Sequence, residues 1–94
     1  MMTHPLSKLF PLGQTVITPG ALDRLHPADV YESILRHARG DWGDCCPEDA
    51  AENELSLREG FRLVSIYRDR NGEKFYIITE ADRSSTSTLL AEEY

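Results

Sequence analysis

FRLVSIYRDRNGEKFYIITEADRSSTSTLL, residues 61–90, decides the fold class. Phe61, Leu63, Ser65 and Tyr67 alternate with Arg62, Val64, Ile66 and Arg68, the period of a strand whose two faces are both partly apolar. Lys74 to Thr79 (KFYIIT) is the strongest β signal in the chain, rich in aromatic and β-branched residues. Between them Asn71-Gly72 offers the positive φ angles of a tight hairpin turn, flanked by Arg70 and Glu73 as a cross-strand pair. ADRSS makes a second turn, and Thr86 to Leu90 reads as a third strand. The stretch predicts a three-stranded antiparallel β-meander.

Upstream, the punctuation is helical. Thr18 is an N-cap, with Pro19 at the first position of a helix running to about Leu25. Pro27 restarts the helix after His26, which serves as its cap. Val30, Tyr31, Ile34, Leu35 and Ala38 then repeat at three and four up to Arg39, and Gly40 supplies a left-handed stop. Pro47 with Glu48 and Asp49 opens another helix that Gly60 closes; Ala51, Leu55 and Arg58 form its inward stripe, with Ala50, Asn53 and Leu57 nearby. Gln14 to Ile17 is a short strand candidate, available as a fourth strand at a sheet edge. Residues 1–13 read as an irregular arm. The expectation is a single α+β domain over 1–94: N-terminal helices followed by the meander.

Ninety-four residues suffice for one modest core, and 40% hydrophobic with 28% charged residues fits a folded protein. The longest apolar runs fall far short of the ~20 residues that span a bilayer, and the N-terminal apolar stretch is broken by Pro11, so a cytoplasmic protein is expected. Cys45 and Cys46 are adjacent and give no disulfide framework. A net charge of −6 argues against direct contact with nucleic acid or an anionic membrane, and leaves open a basic protein partner.

That charge is local. From Asp41 to Glu59 there are seven acids and one base, Arg58, whereas the rest of the chain balances nine acids against nine bases. Asp41, Trp42, Asp44, Glu48, Asp49 and Glu52 are therefore the expected partner-binding residues. Trp42, between glycines, suits an exposed anchor and a core residue equally.

Other chemistries have less behind them. His37, Asp41, Asp44, Cys45 and Cys46 lack the spaced second Cys or His pair of a zinc site, so no metal or other cofactor is expected. His4, His26 and His37 with the two thiols show no local nucleophile signature. In Glu80-Ala81-Asp82-Arg83, Asp82 is expected to stabilise the turn and Arg83 to pair with a neighbouring acid. Hydrolysis around His37 and Asp82 has no recognisable motif. The chain is read as a non-enzyme.

ITPGAL (17–22), HARGDWGD (37–44), EDAAEN (48–53), LREGFRL (57–63) and KFYIITEADRSSTSTLLAEEY (74–94) resemble a family of small, mostly uncharacterised proteins of bacterial plasmids and integrative elements. The match covers about residues 12–94, and the GDWG and TEADRS blocks are specific in combination. The sequence departs from the family at Ala91, where proline is usual, and at Tyr76, where tryptophan is common. The family carries no agreed activity; the resemblance implies a mobile element in a bacterial cytoplasm. Such acidic proteins are often inhibitors of host defence. The expected function is a non-enzymatic anti-CRISPR or anti-restriction protein that binds the basic nucleic-acid-binding surface of a bacterial defence complex. The alternative is a protein-interaction adaptor or regulator of the element, acting through the Trp42 loop or a free strand edge. Oligomeric state is left open.

Overall fold

The computed structural model describes residues 8–94, so His4 and the first half of the arm lie outside the described residues. Strands β2 (Leu63–Arg68) and β3 (Lys74–Thr79) form the expected antiparallel hairpin, in register from Leu63↔Thr79 to Arg68↔Lys74. Their connection is longer than a two-residue turn. Only Gly72 takes a positive φ, 84°, after a turn closed by its N–H on the Asp69 carbonyl at 2.9 Å. The buried Asp69 carboxylate accepts the N–H groups of Asn71, Glu73 and His26, which ties the turn to the start of a helix. Arg70 and Glu73 are not cross-strand partners. Arg70 forks onto Asp29, and Glu73 pairs with Arg24.

β4 (Ser85–Leu90) continues antiparallel to β3, but the sheet is not a three-stranded meander. Gln14–Ile17 forms β1, parallel to β4, and the sheet order is β1-β4-β3-β2. Parallel neighbours need a long crossover, and here the whole intervening chain supplies it. A run of β-branched residues marks a strand without naming its neighbour.

Two helices cover one face. α1 (Pro19–Arg24) is capped by Thr18, whose hydroxyl accepts the Ala21 N–H at 3.1 Å. α2 (Pro27–Ala38) is capped by His26, whose Nδ1 accepts the Ala28 N–H at 3.3 Å. Ala21, Leu25 and Val30 pack against Tyr67, Phe75, Ile77 and Leu90. A second cluster joins Phe10, Trp42 and Leu63, with Leu57 half-buried beside them. Beneath α2 the core becomes polar, with His37, Ser65, Thr79 and Thr86 all buried.

α3 (Pro47–Glu59) ends, as expected, at Gly60 with φ 82°. Its inward stripe differs from expectation: Asn53 and Ser56 are buried, while Ala51, Leu55 and Arg58 are exposed. The rotation follows from hydrogen bonding. Asn53 donates to the Val64 carbonyl at 2.7 Å and accepts the Val64 N–H at 3.0 Å, filling both backbone positions that edge strand β2 would otherwise leave open. At the C-terminal end, the Arg83 guanidinium donates to the carbonyls of Ser56 and Phe61, which ties the end of α3 to the turn before β4. Arg83 therefore pairs with carbonyls rather than with an acid. Asp82 does stabilise its turn, accepting the Ser84 N–H at 3.0 Å.

The loop before α3 completes the seal. Ile66 donates to the Trp42 carbonyl and accepts from the Asp44 N–H at 2.7 Å. Gly43 sits so close that an added Cβ would lie 2.0 Å from the Ile66 carbonyl oxygen, so only glycine fits. Asn53→Ala should unmake two hydrogen bonds and strand the Val64 backbone groups, costing about 2 kcal/mol. A thermal melt should drop by about 10 °C; an unchanged midpoint would show that this edge does not need its seal.

Candidate functional site

The six expected contact residues separate into two groups. Asp41 is held by Arg36, with Nε to Oδ2 at 2.8 Å and Nη2 to Oδ1 at 3.2 Å. The guanidinium keeps the Asp41 carboxyl below its usual range, so its charge is ionised but already answered. Trp42 is 6% exposed and belongs to the core. Its indole stacks on Phe10 at 6.4 Å, and its N–H donates to Glu54 at 2.8 Å. As a projecting anchor it is corrected: the ring has almost no free surface.

Asp44, Glu48, Asp49 and Glu52 are exposed, and among the described residues none of them forms an ion pair. Glu48 and Asp49 occupy the first turn of α3, where the helix dipole favours negative charge. Asp49 and Glu52 also line an open cleft of about 260 Å³ between α3 and the sheet face turned away from α1 and α2. Arg62, Tyr76 and Tyr94 line the same cleft. The two phenol rings meet edge to face with centroids 4.8 Å apart, and Arg62 is engaged by Glu80 at 3.3 Å. Carboxylates beside aromatic rings suit a cationic side chain, which gains from both the charge and the ring quadrupole.

The cysteine beside this cleft is a poor nucleophile. Cys45 is half-buried and donates its S–H to the Val64 carbonyl at 3.4 Å. Burial pushes its thiol up, which keeps it protonated near neutral pH. Among the described residues, no three His, Cys, Asp or Glu side chains stand close enough to hold a metal ion.

His37 has a structural environment. The ring is fully buried, with Nδ1 2.5 Å from the Ser65 hydroxyl and Nε2 2.9 Å from that of Thr79. Thr79 meets Thr86 at 2.7 Å, and Thr86 donates to the Leu12 carbonyl at 2.7 Å. A carbonyl only accepts, so the proton order is fixed from that end. Thr86 donates to Leu12, Thr79 to Thr86 and His37 Nε2–H to Thr79, which leaves Nδ1 to accept from Ser65. The chain is complete with a neutral ring. Asp82, the other half of the hydrolytic candidate, is exposed and engaged in its own turn. This buried chain and the Tyr76–Tyr94 cleft were not anticipated; serines and threonines alternating along strands were the available signal for the first.

Burial, aided by the positive charge of Arg83, lowers the His37 pKa from 6.5 to about 4. The unfolded chain therefore takes up this proton first as pH falls. The contribution to stability is whole above pH 6.5 and disappears as the pH falls to about 4, an effect of roughly 3 kcal/mol. Denaturation at a series of pH values should show this slope, and His37→Gln should flatten it. A wild-type curve level across that window would contradict the assignment. Comparisons with protein-family models, curated proteins and solved structures find no match to the chain.

Proposed function

We propose that this chain is a non-enzymatic acidic inhibitor that occupies the basic nucleic-acid-binding surface of a bacterial defence complex, in the manner of an anti-CRISPR or anti-restriction protein. The observation that supports it most is the set of four carboxylates, Asp44, Glu48, Asp49 and Glu52, exposed together without ion-pair partners along one helix and its entry loop. Elsewhere several arginines are engaged with acids: Arg24 with Glu73 and Glu92, Arg36 with Asp41, Arg62 with Glu80, and Arg70 with Asp29. The unanswered charge is thus concentrated on α3.

Such a surface steers a cationic partner during encounter and competes for the lysines and arginines that would hold phosphates. Asp41 and Trp42 support it from below. Asp41 fixes the loop through Arg36 and the Gly43 N–H, while Trp42 anchors Glu54 and the loop backbone. Asp49 and Glu52 continue the acidic strip into the cleft, where a basic side chain would lie against Tyr76. Carriage on a mobile element, implied by the resemblance, suits this role. The second reading, an adaptor or regulator of the element, draws on the open edge of β1, which would recruit a partner with little dependence on charge.

DNA cleavage by purified CRISPR effectors and restriction enzymes, with and without the protein, tests the first reading. At least one activity should be inhibited, and added salt should relieve the inhibition steeply. Reversing Asp44, Glu48, Asp49 and Glu52 to Lys should abolish inhibition while the thermal melt stays close to wild type. Inhibition that survives the reversal, or is indifferent to salt, would remove this reading.

A further inference from the structure

The two outer edges of the sheet are treated differently. The β2 edge is closed by Asn53 at Val64 and by the 42–44 loop at Ile66. β1 is the opposite edge, and no described strand pairs with its outer side. In the parallel register with β4, Gln14 donates to Ser84 and Thr18 to Thr88, so alternation turns the N–H and C=O groups of Thr15 and Ile17 outward. All four β1 residues are exposed and uncharged. Of the devices that ordinarily protect an edge, β1 has only its shortness; charge, proline and, among the described residues, a covering loop are missing from it.

The surface beside β1 is apolar. Ile17, Leu22 and Tyr31 border a groove of about 190 Å³ formed with α1 and α2, and no charged side chain lines it. Leu22 and Tyr31 are 65% and 63% exposed, and with Val16 and Ile17 they supply half of the large hydrophobic side chains that face solvent among the described residues. Burial of such a strip is favourable, and its concentration at one edge marks an interface.

We propose that β1 is a self-association edge, where two copies pair antiparallel about a two-fold axis through Val16. Thr15 then exchanges both backbone hydrogen bonds with Ile17 of the second copy, and Ile17 with the second copy's Thr15, while the two Val16 residues face each other as the non-hydrogen-bonded pair. The register is self-complementary, as an isologous interface requires. The two-fold axis is normal to the sheet, so α1 and α2 of both copies lie on one side and their apolar grooves adjoin.

The charge distribution permits a second copy as the occupant. Each copy carries a formal charge of −6, yet most of the acids without ion-pair partners among the described residues lie on α3 and its entry loop, beyond the β2 edge, with Asp23 on α1 and Glu32 on α2 among the exposed exceptions. Joining β1 to β1 sets the two β2 edges roughly 30 Å apart at the usual strand spacing, several times the ~8 Å screening length of physiological salt. Pairing through any other edge would bring the acids together. The contact rests on observations separate from the inhibitory reading and leaves α3 exposed in both copies.

Sedimentation velocity of the full chain over a concentration series tests the proposal. The expected mass is twice 10.7 kDa at the upper concentrations, with little response to salt. Thr15→Pro removes only an outward N–H and Ile17→Lys places a charge at the seam; each should weaken self-association by roughly tenfold or more with an unchanged circular dichroism spectrum. Phe61→Lys, at an exposed apolar residue outside this groove, should leave it intact. A monomer at every concentration, or a dimer indifferent to both β1 substitutions, would overturn the proposal. The reversal of Asp44, Glu48, Asp49 and Glu52 should not affect the dimer, so failure of the inhibitory reading is separable from failure here.

Discussion

The amide of Asn53 stands where the backbone of a further strand would stand, and the rest of the surface follows from that substitution. By meeting both polar groups of Val64, it holds α3 against β2 without a broad hydrophobic face. A helix so short of apolar residues would not bury itself by hydrophobic contact alone. Because the attachment is polar and narrow, the remaining sides of α3 are free to carry acids. The same contact closes one edge of the sheet and leaves β1 as the place where pairing can continue.

The polar interior obeys the same logic. His37 could not be buried ionised at reasonable cost, and as a neutral ring it needs one donor and one acceptor. Ser65 and Thr79 supply them, and Thr86 passes the last proton to the Leu12 carbonyl. The chain of hydroxyls joins α2, three strands and the segment before β1 through groups that fit only one arrangement. Among the described residues, no buried side-chain nitrogen or oxygen is left without a partner. Apolar clusters supply the driving force on either side, while this seam fixes register.

Much of the element map could be read from local chemistry. Thr18-Pro19, His26-Pro27, Gly40 and Gly60 mark helix boundaries because caps and left-handed glycines act within a few residues of where they stand. What escaped was set by contacts distant in sequence. The β-branched run Thr15, Val16 and Ile17 marks a strand, but its parallel pairing with β4 depends on a neighbour placed across most of the chain. The inward face of α3 was misjudged in part: Asn53, Ala50 and Leu57 were placed near it, but its centre was set on Ala51, Leu55 and Arg58 rather than on Asn53 and Ser56, whose value lies in hydrogen bonds to Val64 and beside Arg83. Trp42 fitted two environments equally until Phe10 and Glu54 were placed against it. The acidic composition of the candidate site was legible; the cleft was not, since Tyr76 and Tyr94 reach Asp49 only in the folded chain.

The pairing of Gln14 with Ser85 also bears on how the protein comes into being. The first strand has no partner until residues 85–88 have been synthesised, about seventy residues later, so the sheet cannot close before that segment has left the ribosome. Up to that moment the helices and the β2–β3 hairpin can form from neighbouring sequence, while the opening strand waits. A contact of such long range also raises the entropic cost of reaching the folding transition state. Closure of the sheet is thereby a late step that follows its local parts.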